Sequence, residues 1–111
     1  MLNGNLKKKD IQEVFETGNK INSRYFYLVF KKNQIGYPRF AFIASKKIFK
    51  KSTQRNRVKR LLREVVRLLL PKLNVLSCDI ILVGKSEILN LKSFQLKENF
   101  ISILEKLERE C

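Results

Sequence analysis

A chain of 111 residues, 44% hydrophobic and 31% charged, has the material for one compact core and is too apolar to be a disordered tail. Its formal charge of +14 is unevenly held: residues 1 to 63 carry 17 Lys and Arg against 3 Asp and Glu, whereas residues 64 to 111 carry 7 of each. An excess confined to one part of the chain is what a polyanionic partner requires, and it excludes a neutral structural module. Histidine is absent and the two cysteines, Cys78 and Cys111, have no metal-ligand spacing, so the commonest general base and the commonest zinc ligand are missing. No apolar run approaches the roughly 18 residues of a membrane span. The opening MLNGNLKKKD lacks the apolar stretch of a secretion signal, and the expectation is a cytoplasmic protein with reduced thiols.

After a short polar arm, Lys8 to Thr17 reads as a helix with Ile11, Val14 and Phe15 on one face, Asp10 favouring its amino-terminal dipole and Gly18 ending it. Ser23 to Lys32 reads as a strand. Its register Phe26, Leu28, Phe30 is purely apolar and belongs to the core, whereas Tyr25, Tyr27, Val29 and Lys31 are amphipathic and suit a cleft or water, where tyrosines can stack on bases. Asn33 to Pro38, with Gly36, reads as a hairpin-type connection to a second strand, Arg39 to Ser45, in which Phe40, Phe42 and Ala44 alternate with Ala41 and Ile43.

A basic loop leads into the dominant feature, SKKIFKKSTQRNRVKRLLREVVR from Ser45 to Arg67. Val58, Leu61, Leu62, Val65 and Leu69 recur at helical spacing, and at about 100° per residue Asn56, Lys59, Arg60, Arg63 and Arg67 fall on the opposite side. The cations are thus mounted on a helix with a buried back, a stiffer anion-binding surface than a tail. A merely solvated face would alternate its signs, and Glu64 is the only acid here. Ser52 and Thr53 are the expected caps, and Pro71 ends the helix after Leu70.

Leu73 to Ser77 reads as a connector, DIILVG at Asp79 to Gly84 as a strand buried on both faces, and Lys85 to Lys92 as a loop. A last helix capped by Ser93 places Leu96, Phe100, Ile103, Leu104 and Leu107 on one side with balanced charges. One α+β domain over 1–111 follows, αβββ-like at the front, the third strand being either a short one or a split of the first long run by a bend, and αβα behind, with a βαβ crossover through the central helix. Glu13 with Glu16 and Glu105 with Glu108 are lone surface pairs, and no phosphate-cradling glycine motif occurs, so neither a catalytic nor a metal-binding residue is assigned.

RNRVKRLLREVVR, preceded by SKK at Ser45 to Lys47, resembles the signature of the bacterial ribonuclease P protein component, and the likeness extends from LKKKDIQEVFETG to the last helix. That family implies an α/β sandwich of αβββαβα order, ribosomal protein S5 domain 2-like, with a left-handed βαβ crossover in place of the usual right-handed one. It implies that Ser45, Lys46, Lys47, Arg55, Asn56, Arg57, Lys59, Arg60 and Arg63, with the added Lys50, Lys51 and Arg67, meet a catalytic RNA subunit. It implies a cleft for the single-stranded leader of precursor tRNA at Ile11, Phe15, Tyr25 and Tyr27. Mg²⁺ would be held mainly by the RNA, which performs the cleavage, with no membrane and no further protein partner needed. The chain departs from the family in having Ile11 and Val29 where aromatic residues are common, and FKKST in place of a glycine-containing turn. Apart from the resemblance, the charge pattern also fits a ribosomal or other structural RNA-binding protein with no enzymatic role, a DNA-binding module, and a basic amphipathic membrane helix.

Overall fold

The computed structural model describes residues 6–111, which run α1 (Lys8–Thr17), β1 (Asn19–Asn22), β2 (Phe26–Lys32), β3 (Arg39–Ile43), α2 (Ser52–Leu68), a short α3 (Leu70–Leu73), β4 (Cys78–Gly84), a 3₁₀ turn (Ser86–Asn90) and α4 (Ser93–Glu110). The strands form one sheet in the order β1-β2-β4-β3, with β4 antiparallel to β2 and parallel to β3. This is the expected α+β architecture with a βαβ unit through α2.

Strand β4 is the centre of the fold. All seven of its residues are buried, because helices cover both faces of the sheet there. One face carries the larger core, where Phe26, Leu28 and Phe30 of β2, Phe40 of β3, and Ile80 and Leu82 of β4 meet Val58, Leu62, Val65 and Val66 of α2 and Leu96, Phe100, Leu104 and Leu107 of α4. The other face carries a smaller core of Val29, Ala41, Ile81 and Val83 beneath Leu6 and Val14. The predicted registers of β2 and β3 hold. Two glycines permit close approaches: a Cβ on Gly18 would lie 2.5 Å from the Val14 carbonyl oxygen and 2.7 Å from that of Phe30, and one on Gly84 would lie 2.5 Å from Val58 Cγ1. The end of α1 and the flank of α2 therefore sit directly on backbone.

Several expectations from the sequence are corrected. The first strand is Asn19–Asn22, ahead of the predicted Ser23, and it pairs with β2 through a turn in which the Ser23 N–H donates to the Phe26 carbonyl at 3.0 Å. Asn33 to Pro38 is not a hairpin, since β4 lies between β2 and β3. That loop is instead tied to the segment entering β4: the Asn33 N–H donates to the Ser77 carbonyl at 2.9 Å and the Gly36 N–H to Ser77 Oγ at 3.1 Å. Helix α2 stops at Leu68, and Pro71 opens a new turn in place of ending an old one.

Ser52 and Thr53 lie inside the first turn of α2, whose cap position is Lys51. The Lys51 N–H is met by Gln54 Oε1 at 3.4 Å, and α1 and α4 start the same way, Lys7 to Asp10 Oδ2 at 3.4 Å and Lys92 to Gln95 Oε1 at 3.0 Å. A lysine side chain cannot accept from the first-turn amides, so only the return half of a capping box is made, in which the third helical residue accepts from the cap N–H. Lys92 holds the cap position of α4, and the predicted capping side chain of Ser93 lies outside the described residues. Cys78 and Cys111, expected as free thiols, are joined in a disulfide with Cα atoms 6.0 Å apart, because α4 runs back to bring its last turn beside the start of β4.

Candidate nucleic-acid interface

Helix α2 buries Val58, Leu62, Val65 and Val66 against the sheet, which turns Asn56, Arg57, Arg60, Arg63 and Arg67 out to solvent, with Lys59 half-buried at the margin. Thr53, Asn56, Arg57, Lys59, Arg60 and Arg63 line a shallow groove of about 480 Å³ along the helix. The ion pairs of the described residues join Lys31 to Glu13 and Arg39 to Asp10 and Asp79, and none involves an α2 cation. Five positive side chains within three turns repel one another, so a surface anion that bridges them lowers the energy of the folded state. Arg63 has a further support: its Cζ lies 5.4 Å from the centre of the Phe42 ring, which restricts the side chain before any ligand arrives.

The loop ahead of α2 is a built structure. Phe49 is fully buried, its N–H donates to the Ser45 carbonyl at 2.8 Å, and Ser45 Oγ accepts from the Lys47 N–H at 3.1 Å. The charged ends of Lys46, Lys47, Lys50 and Lys51 are left exposed around this anchor. Arg55 departs from the rest: its Nη1 donates to the carbonyls of Phe49 (2.8 Å) and Lys50 (3.0 Å), so it fastens the loop to α2. Phe49 stands in a basic run beside an equally apolar neighbour, Ile48, which is exposed, so nothing in the sequence marks Phe49 as the anchor.

The residues expected in a cleft divide. Ile11 of α1 and Tyr27 of β2 pack, half-buried, against the smaller core, and Lys20 Nζ lies 4.3 Å from the centre of the Tyr27 ring. Phe15 follows the buried Val14 and is 42% exposed. Tyr25 lies elsewhere. It sits in the turn between β1 and β2, where strand alternation is broken, and packs against the larger core with Arg24 Cζ 5.4 Å from its ring centre. Ile11, Phe15 and Tyr27 therefore share one side of the sheet and Tyr25 does not.

On that same side, Arg39 holds the buried Asp79 through Nε to Oδ1 and Nη2 to Oδ2, both 2.8 Å, and Asn33 Nδ2 donates to Oδ1 at 2.9 Å. The hydrogen bond to the Asp79 carboxylate raises the Arg39 pKa above its ordinary value, so the guanidinium is charged at any physiological pH. No group of three or more His, Cys, Asp and Glu side chains suited to a metal ion occurs among the described residues, and no helix there is long and apolar enough to cross a membrane.

Fold and surface define a small basic α+β protein with one charged helix face free of carboxylate partners among the described residues. The chain matches the family Ribonuclease P over residues 5–108 and belongs to it, as a protein subunit of a ribonuclease. It is 44% identical over 81 residues to the ribonuclease P protein component of Fusobacterium nucleatum, covering 73% of this chain and 71% of that one. It is 31% identical over 102 residues to that of Pelotomaculum thermopropionicum, covering 92% and 89%. The RNase P protein of Thermotoga maritima has the same fold, with a TM-score of 0.81 at 23% identity over 92% of this chain and 96% of that one.

Proposed function

We propose that this subunit binds two nucleic acids at once: a catalytic RNA subunit across the exposed face of α2 and the lysines ahead of it, and the single-stranded 5′ leader of precursor tRNA between α1 and the sheet. The observation that carries the reading is the row Arg57, Arg60, Arg63 and Arg67, exposed on a helix with a buried back and without an internal carboxylate among the described residues. Phosphates at duplex spacing are the natural counter-charge for a rigid row of guanidinium groups, and each contact releases condensed counterions. The chain has no histidine, and its buried carboxylate Asp79 is already held by Arg39 and Asn33. This reading therefore leaves Mg²⁺ binding and phosphodiester hydrolysis to the RNA. The protein neutralises phosphates, adds leader affinity, and favours magnesium occupancy by letting the RNA fold at lower ion concentration. It works in the cytoplasm, where precursor tRNA is made.

Reconstitution tests this. The purified chain added to its matching RNA is expected to lower the Mg²⁺ concentration needed for leader removal, and an unchanged requirement would overturn the proposal. The leader site has its own test in Tyr27→Ala. Loss of one stacking surface costs about 1 to 3 kcal/mol per base, so binding of leader-bearing precursor should weaken by about 10-fold or more while mature tRNA binds as before. Equal loss on both would reject the cleft as the leader site.

A further inference from the structure

Strands β2, β4 and β3 are paired in register, so residues on the α1 side of the sheet stand in rows across three strands. Lys31, Asp79 and Arg39 form one row, Val29, Ile81 and Ala41 the next, and Tyr27, Val83 and Ile43 the third. The middle row is buried beneath Leu6 and Val14. In the third row Tyr27 and Ile43 remain half-exposed, so α1 stops short of it. What sets that stopping point is the first row. Arg39, whose fork is spent on Asp79, turns Nη1 toward Asp10 Oδ2 at 3.7 Å, and Lys31 Nζ meets Glu13 Oε1 at 2.7 Å. Asp10 and Glu13 are three residues apart and therefore neighbours on one side of α1. Two acids of the helix thus sit on two cations of the sheet, with Asp79 between those cations.

The two ties are unequal. The Lys31 and Glu13 side chains are 36% and 59% exposed, and such a pair, free to swing and screened by water, holds little. Arg39 meets Asp10 at the longer distance of 3.7 Å, but both side chains are only 27% and 28% exposed, and Arg39 is itself held by Asp79 through two parallel bonds of 2.8 Å, with Asn33 on the same carboxylate. That fork fixes the guanidinium plane, and with it the point at which Asp10 is met.

We propose that Arg39, oriented by Asp79, is a positioning residue: it places α1 through Asp10 and so sets the gap over the Tyr27 row that admits a single-stranded nucleic acid, without touching that strand itself. The inference rests on the leader-binding reading above. It deepens that reading by naming what holds the cleft at its working width.

Arg39→Lys in the full chain is the test, because it keeps the charge and removes the fork. With the reconstituted ribonucleoprotein, precursor affinity should fall about tenfold, since a displaced wall misaligns every contact made from it. Affinity for the RNA subunit should stay within about twofold, and α1 amides should exchange hydrogen faster in the free protein. Asp10→Asn leaves the Arg39–Asp79 fork whole and guards against a folding defect; it should speed α1 exchange likewise and lower precursor affinity about threefold. Wild-type precursor affinity and wild-type α1 exchange in both variants would overturn the assignment. If the wild-type complex binds precursor and mature tRNA equally, the leader reading fails instead, and α1 exchange alone then decides whether Arg39 places the helix.

Discussion

Replacing Arg57, Arg60 and Arg63 together by alanine is expected to weaken binding of the RNA subunit about 100-fold at 0.1 M salt and to reduce the slope of log K against log salt by about 2 to 3 units. Each lost phosphate contact removes roughly 0.7 to 0.9 from that slope, and counterion release scales the affinity loss with it. The protein itself should not be harmed in proportion. The three side chains are exposed, none pairs with a carboxylate among the described residues, and removing like charges one turn apart relieves repulsion along α2. Against this stands the Arg63 contact with Phe42, worth about 0.5 to 1 kcal/mol at a partly exposed site. The two effects nearly cancel, so the melting temperature should move little while binding collapses. Lys106→Ala with Arg109→Ala on α4 is the control, lowering net charge by two at a face assigned no RNA contact. Interactions beyond about 10 Å are screened at this salt, so that variant should leave the slope within about half a unit. A slope unchanged by the triple substitution would remove α2 as the contact surface.

Much of this molecule is legible in its sequence, and the exceptions have physical causes. Helix α1 begins and ends where its apolar period and Gly18 put it, and β4 was recognisable as an uninterrupted apolar run because both its faces are covered. The stripe on α2 is legible because Val58, Leu62 and Val65 face the sheet at helical spacing, although Val66 is buried with them and Leu61 only partly so. Strand β1 was missed because NKIN has a single apolar residue, Ile21; an edge strand needs only one face buried. The separation of β2 from β3 by β4 was hidden because Asn33 and Gly36 bond to Ser77, more than 40 residues on, and local turn chemistry carries no trace of a distant acceptor.

The site divides in the same manner. Exposed cations on α2 were legible from periodicity alone. The structural duty of Arg55 was not, since a guanidinium that fastens carbonyls of Phe49 and Lys50 has the same letter as one that awaits phosphate. Tyr25 looked equivalent to Tyr27 under strict alternation, and the turn at Ser23 to Phe26 breaks that equivalence. Asp79 read as the polar margin of an apolar run, whereas it is the anion that Arg39 is built around.

Phe100→Ala should have the largest effect on the fold, a loss of about 3 to 5 kcal/mol. Phe100 is fully buried and its ring lies 5.6 Å from that of Phe26, inclined by 17°, where α4 meets the sheet. Deleting it removes the transfer energy of a phenyl group and leaves a void between α4 and β2 that α2, seated directly on Gly84, cannot close by sliding. For a domain stabilised by roughly 5 to 15 kcal/mol this is a large fraction, and the melting temperature should drop by about 15 °C or more. Phe15→Ala is the matched comparison. It removes the same group from a helix at a position 42% exposed, and should cost under about 1 kcal/mol. The RNA subunit then separates folding from binding. A partner that binds only the native protein stabilises it by about 2.7 kcal/mol at 100 times its dissociation constant, so saturating RNA should restore most of the melting temperature lost by Phe100→Ala. At the same RNA concentration the rescue should shrink to about 0.4 kcal/mol for Phe100→Ala combined with the triple arginine substitution, whose affinity is about 100-fold lower. Equal destabilisation by Phe100→Ala and Phe15→Ala would show that α4 does not pack as described, and undiminished rescue after loss of the arginines would place the RNA on some other surface.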